Sequence, residues 1–156
     1  MGFERNTVAM IELNRFKKVL EENDERFPLL TLEEFFKGNT EEDSIAPNQW
    51  GEGRPSLTEI WDMLQKIESM PNIAWVRVTL HDDTEIKEDD EKEALTLAGD
   101  SIVLCTKMQS SKLQEIVKCE WLRSDGVIEI KPSSLAIYSC IPPIPEAFHC
   151  LEIVWD

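Results

Sequence analysis

Two hydrophobic periods alternate along this chain. Residues 12–22 place Leu13, Phe16, Val19 and Leu20 three or four positions apart, with Lys17, Lys18, Glu21 and Glu22 on the other side. That spacing predicts a short amphipathic helix. The preceding Val8-Ala9-Met10-Ile11 is compatible with either a helix start or a strand. After Phe27-Pro28-Leu29-Leu30, Thr31 and Glu34 stand at the spacing of a capping box, in which two side chains satisfy each other's exposed amides. A helix of one or two turns should follow and end at Gly38. A second box, Ser56 and Glu59, opens the clearest helical pattern, with Leu57, Ile60, Trp61, Leu64 and Ile67 on one face and Pro71 as its stop.

The period then shortens. Ile73 to Leu80 is rich in β-branched and aromatic residues and is apolar at Ala74, Val76, Val78 and Leu80, with Ile73 and Trp75 offset, which predicts a central strand. Ser101 to Thr106 is a second strand. Between them, residues 82–93 hold eight acids and two lysines and predict a solvated excursion. Ser110 or Ser111 is expected to cap a third helix with Leu113, Ile116, Val117 and Trp121 inward. Beyond an Asp125-Gly126 turn, residues 127–130, 135–141 and 148–155 suggest three strands, separated by Pro132 and by Pro142-Pro143-Ile144-Pro145. The order predicts an α+β fold, a single domain over residues 1–156 with about three helices packed on a mostly antiparallel, mixed sheet. A chain of 156 residues is long enough for one substantial core.

Residues 39–55 are the longest stretch without periodicity and contain two glycines, two prolines and Trp50. Such a long loop inside a compact domain is more often functional than a plain connection. Of the five tryptophans, Trp61, Trp75 and Trp121 lie on apolar stripes and are expected in the core. Trp50 is the one aromatic expected at the surface, and Trp155 is compatible with either place.

Charge narrows the partners. Asp and Glu number 31 against 16 Lys and Arg, a formal net charge of −15. The densest basic stretch, Arg15-Phe16-Lys17-Lys18, is followed by Glu21 and Glu22, so binding to nucleic acid or an anionic membrane is not expected. An acidic domain favours rapid, salt-sensitive association with a basic protein; the alternative is that its charge serves solubility alone. No apolar run reaches the ~20 residues of a membrane span, and Met1 to Asn6 lack the basic and apolar regions of a secretory signal, so a cytoplasmic address is expected.

Candidate chemistry is sparse. Cys105, Cys119, Cys140 and Cys150 are widely spaced and flanked by apolar residues, as buried, reduced cysteines are. Neither their spacing nor that of His149 suits zinc, and residues 82–93 lack the glycine and ligand alternation of a calcium loop, so no metal or cofactor is expected. Gly51-Glu52-Gly53-Arg54-Pro55 lacks the Lys-Ser/Thr of a phosphate loop. No catalytic residue is assigned. The alternative readings are a small hydrolase using His81 or His149 with a cysteine or carboxylate, and a housekeeping interaction module.

The stretch Phe27-Pro28-Leu29-Leu30-Thr31-Leu32-Glu33-Glu34-Phe35-Phe36-Lys37-Gly38-Asn39, continuing through Asp43-Ser44-Ile45-Ala46-Pro47-Asn48, resembles a segment of small acidic bacterial immunity proteins encoded beside contact-dependent or other polymorphic toxins. The resemblance extends through the helix beginning at Ser56 to the strand ending at Leu80. It implies a cytoplasmic protein that binds and blocks one cognate toxin domain, often a basic nuclease, and transfers no residue roles one by one. The physical reading supplies the candidate partner surface: Glu41, Glu42 and Asp43, then Asp82, Asp83, Glu85, Glu88, Asp89, Asp90 and Glu91, with Trp50 as an aromatic anchor. The oligomeric state is open, with a monomer favoured.

Overall fold

A computed structural model describes residues 11–47, 51, 53–89 and 92–155, with the Asp89 side chain excepted. The first long helix, α1 (Leu13–Glu22), buries Phe16 and packs Leu20 on the core, as its spacing requires. The alternatives for residues 8–10 lie outside the described residues. Helix α2 (Leu32–Phe36) carries the expected capping box: Glu34 N donates to Thr31 Oγ1 at 3.0 Å and Thr31 N to Glu34 Oε1 at 2.9 Å. Arg15 reaches the same Glu34 at 2.8 Å and ties α1 to α2. The box at Ser56 and Glu59 opens α3 (Leu57–Glu68), which buries Leu57, Ile60, Leu64 and Ile67.

Strand β1 (Ile73–Leu80) pairs antiparallel with β4 (Gly99–Thr106), and between them lies a separate hairpin of β2 (Glu85–Asp89) and β3 (Lys92–Thr96). The expected solvated excursion is therefore corrected to a paired hairpin. Ile86 and Leu95 face each other across it and pack on the core, which anchors an otherwise charged segment. Helix α4 (Ser110–Val117) and the short α5 (Cys119–Leu122) follow, then β5 (Gly126–Ile130), a 3₁₀ helix over Pro132–Ile137, and β6 (His149–Val154). The sheet order is β1-β4-β6-β5, and every strand pair in it is antiparallel. Among the described residues, parallel pairing is confined to the isolated bridges Pro28 to Ser139 and Ile45 to Gly99.

Both faces of this sheet are covered. Val76, Val78, Leu80, Ile102, Leu104, Leu151 and Ile153 meet the helices in the larger core. On the other face Trp75, Val103, Cys105 and Cys150 meet Leu135, Tyr138, Ile144 and Phe148 from the stretch after β5. Trp75 Nε1 donates to Pro143 O at 2.9 Å, so the proline corner is part of that second layer. Burial on two faces explains why β1 and β4 are apolar at both parities instead of alternating. A register shift between Ile73 and Trp75 turns Ala74 out to solvent.

Three further expectations are corrected. Gln109, not Ser110 or Ser111, occupies the N-cap of α4, and no side chain caps it. Lys118 then takes a left-handed conformation, φ 56°, which breaks α4 from α5 and leaves Trp121 40% exposed instead of in the core. Trp75 and Trp155 are buried and Trp61 packs partly buried on the core. Residues 135–141 are not a strand: Pro132, which lacks an amide for a ladder, starts the 3₁₀ turn, and only its Leu135 is buried.

The cysteines also divide. Cys105 and Cys150 stand opposite each other on β4 and β6, fully buried, and burial together with the neighbouring thiol pushes Cys105 up to about 11. Cys119 is half-buried. Cys140 is exposed, which corrects the expectation of burial. A native chain treated with a thiol reagent should therefore label first at Cys140, while Cys105 and Cys150 label only at the rate of unfolding. Leu104→Ala, in the middle of β4, should lower stability by about 2–5 kcal/mol in chemical denaturation, against less than about 0.5 kcal/mol for Ile128→Ala on the exposed side of β5.

Candidate functional site

Two segments far apart in sequence are tied to one short piece of backbone, Ala98-Gly99. From the first segment, Asn39 Oδ1 accepts from Glu41 N at 3.0 Å and Asn39 Nδ2 donates to Ser44 Oγ at 3.1 Å. Gly99 N then donates to Ser44 O, and Ala46 N donates to Gly99 O at 2.7 Å. From the second, His81 N donates to Ala98 O at 2.7 Å, while Thr84 Oγ1 donates to Ala98 O and accepts from Ala98 N at 3.1 and 3.0 Å. Gly99 fits closely here: a Cβ would sit 3.1 Å from Phe35 Cζ and 3.3 Å from Val78 Cγ1, so those side chains would have to give by a few tenths of an ångström.

The consequence is a cleft of about 300 Å³ in which Glu41 and Asp43 of the first acidic run face Asp83 and Glu85 of the second, over a floor of Leu97 and Ala98. Lys87 is the cation on its wall, and its Nζ lies 3.6 Å from Glu85 Oε1. That exposed pair contributes about 0–1 kcal/mol, so the cleft stays strongly negative.

The other predicted site residues go elsewhere. Glu42 Oε1 accepts from Leu57 N at 3.0 Å and thereby caps α3, a structural role. Asp82 lines a different cleft from Asp83. Glu88 lies on the hairpin opposite Glu93, whose carboxylate is bound to Lys17 of α1. Asp89 ends β2, and its side chain, like Trp50, Asp90 and Glu91, lies outside the described residues.

Asp82 belongs to a second cleft of about 460 Å³, lined also by Arg26, Phe27, His81, Asp100, Ile137 and Tyr138. Beneath it runs a buried hydroxyl ladder on the second sheet face. The Thr79 and Ser101 hydroxyls are 2.8 Å apart, and Ser101 Oγ donates to Glu152 Oε2. Thr79 Oγ1 accepts from Ser101 N at 2.9 Å and stands beside the Tyr138 phenol. Burial, followed by the charges of Asp100, Glu152 and Asp82, pushes Tyr138 upward against the opposing effect of Thr79. Burial raises Glu152 as well, with the Ser101 bond opposing and Asp100 adding to it. Sequence patterns do not reveal this group, although Glu152 is the lone acid in the apolar run of β6.

The histidines are engaged separately. His149 Nε2 donates to Met108 O, and His81 Nδ1 accepts from Asp83 N at 3.0 Å. Among the described residues no group of three or more His, Cys, Asp or Glu side chains is arranged to hold a metal ion. No helix among them is long and apolar enough to cross a membrane.

Fold and site together define an α+β protein with an antiparallel sheet covered on both faces and with open acidic clefts at its rim. A family model described as the Uncharacterized protein YfbO family matches residues 11–153, and the chain belongs to that family. No curated protein and no solved structure matches it.

The ladder yields a pH prediction. The folded chain holds the Glu152 proton more tightly than the unfolded chain, so ionising this group weakens folding as pH rises through and above the ordinary carboxylate range. Denaturation from about pH 4 to about pH 8 should show Glu152→Gln losing less stability with rising pH than the parent. Equal slopes would mean that burial does not perturb this carboxyl.

Proposed function

We propose that this protein is an immunity protein that binds a basic toxin domain and occludes it, with the cleft between the 41–47 and 83–87 segments as the contact surface. The observation that carries this reading is the convergence of Glu41, Asp43, Asp83 and Glu85 on one concave surface. Four carboxylates on one surface of a chain of net charge −15 attract a cationic partner. A nuclease presents cations to phosphate, and an acidic cleft competes for those same cations. The resemblance of residues 27–48 to immunity proteins points to the same class of partner. Nothing in this mechanism requires bond chemistry from the inhibitor: inhibition is steric and electrostatic. The cytoplasm is where such an inhibitor meets an incoming toxin.

The test is co-expression with the C-terminal domain of a toxin encoded beside this protein, with growth rescue as the readout. The purified pair should associate at least about tenfold more slowly when salt rises from ~50 to ~500 mM, because the Debye length falls from roughly 14 to 4 Å. Reversing Glu41, Asp43, Asp83 and Glu85 to Lys should slow association at physiological salt. Reversing Glu21, Glu22, Glu115 and Glu120, an equal change in net charge at exposed helical positions, should slow it far less. Rescue that survives the first set of reversals unchanged would place the interface elsewhere, and no rescue by the parent would end the immunity reading.

A further inference from the structure

We infer that the cleft between the 25–27 corner, the 81–82 turn and the 3₁₀ helix binds a small organic cation, an alkylammonium or alkylguanidinium, with its charged head at Asp100 and Tyr138 and its stem along Phe27 and Ile137. This site is separate from the proposed toxin surface and does not depend on the immunity reading.

Size and lining define the class of ligand. A cleft of about 460 Å³ falls within the range of roughly 300–1,000 Å³ typical of small-molecule sites. Its walls contain Glu25, Asp82 and Asp100 against the single cation Arg26. Arg26 is turned away from them: its Nε donates to Asn23 O at 3.0 Å and its Nη1 to Ala136 O at 3.3 Å. Asp82 and Asp100 form no hydrogen bond or ion pair with the described residues, and Glu152 adds a further carboxylate beneath the floor. An anion is repelled by this arrangement. A bare metal ion lacks a set of three ligands.

The apolar half of the lining requires more than a charge. Ile137 is 68% exposed, the most exposed large hydrophobic among the described residues, and it stands at the cleft beside Phe27 and Leu80. A ligand with an aliphatic stem covers that surface while its head meets the carboxylates, as lysine and arginine side chains do when their stems lie on apolar walls. The floor points the same way. Thr79 and Ser101 are 0% and 3% exposed, and burying two hydroxyls and a carboxylate in a layer otherwise made of Trp75, Val103 and Leu135 is costly unless each is bonded. Their ladder leads to Glu152 and places the Tyr138 phenol at the cleft, where its oxygen accepts from an N–H donor.

The experiment is an NMR titration of the full chain at about 150 mM salt with two probes, agmatine and the blocked peptide acetyl-Gly-Gly-Arg-Gly-Gly-amide. Saturable shifts are expected at the Ile137 methyls and at the His81 and Asp100 amides. Tighter binding of agmatine would assign the site to a free cation, and tighter binding of the peptide to a side chain of a partner; either supports the cleft as a cation site. Asp100→Asn should weaken binding about fivefold. Glu115→Gln removes the same unit of charge at an exposed position of α4, outside both acidic clefts, and should leave binding unchanged. Ile137→Ala, at a position the core does not use, should weaken agmatine binding without altering stability. The proposal is overturned if neither probe gives saturable shifts at the cleft by about 10 mM, or if Asp100→Asn and Glu115→Gln act equally, since the attraction would then belong to the net charge.

Discussion

Burial of β4 on both faces is the constraint on which the other elements depend. A strand whose Ile102, Val103, Leu104 and Cys105 are all withdrawn from water needs cover above and below, and helices alone supply only one layer. The second layer is irregular, built from the 3₁₀ turn and the proline corner and locked by the bond from Trp75 to Pro143. Prolines suit this role because the layer lies across a sheet face and contributes no amides to a ladder. The long connection from β5 to β6 is thus a structural cover for the second sheet face.

The same strand organises the surface. At its entrance, Ala98-Gly99 uses its backbone groups to hold the 44–46 loop on one side and the 81–84 turn on the other. Absence of a side chain at Gly99 lets Phe35 and Val78 close against it, so the two loops are fixed by a tightly packed floor. Both acidic clefts are therefore attached to the rigid part of the molecule.

Charge and burial meet most sharply at Glu152. Its position in β6 is dictated by alternation: Leu151 and Ile153 face the helices, so residue 152 must face the second layer. Ser101 and Thr79, its neighbours across the sheet, turn what would be an isolated buried acid into the end of a bonded row. Next to Thr79 in this row stands Tyr138, the residue that ends the 3₁₀ turn and lines the second cleft.

Local signals settled the parts of this protein that obey local physics. Capping boxes at Thr31 and Ser56, the helical stripes of α1 and α3, and the β-branched runs of β1 and β4 were legible because each depends on residues within a few positions of one another. The β2–β3 hairpin was not legible, because its six acids mask the Ile86–Leu95 pair that anchors it. Nor was the outward turn of Trp121, which follows from one left-handed residue at Lys118. Composition established that the chain is acidic, and the order of residues that acidic runs stand at 41–43 and 82–93. Only tertiary structure decided that Glu41 and Asp43 face Asp83 and Glu85, that Glu42 leaves the group to cap α3, and that Asp82 joins Asp100 and Tyr138 in a different cleft. The physical reason is that Glu41 and Asp43 are brought to Asp83 and Glu85 largely by backbone hydrogen bonds to Ala98 and Gly99, and backbone bonds leave little trace in side-chain identity.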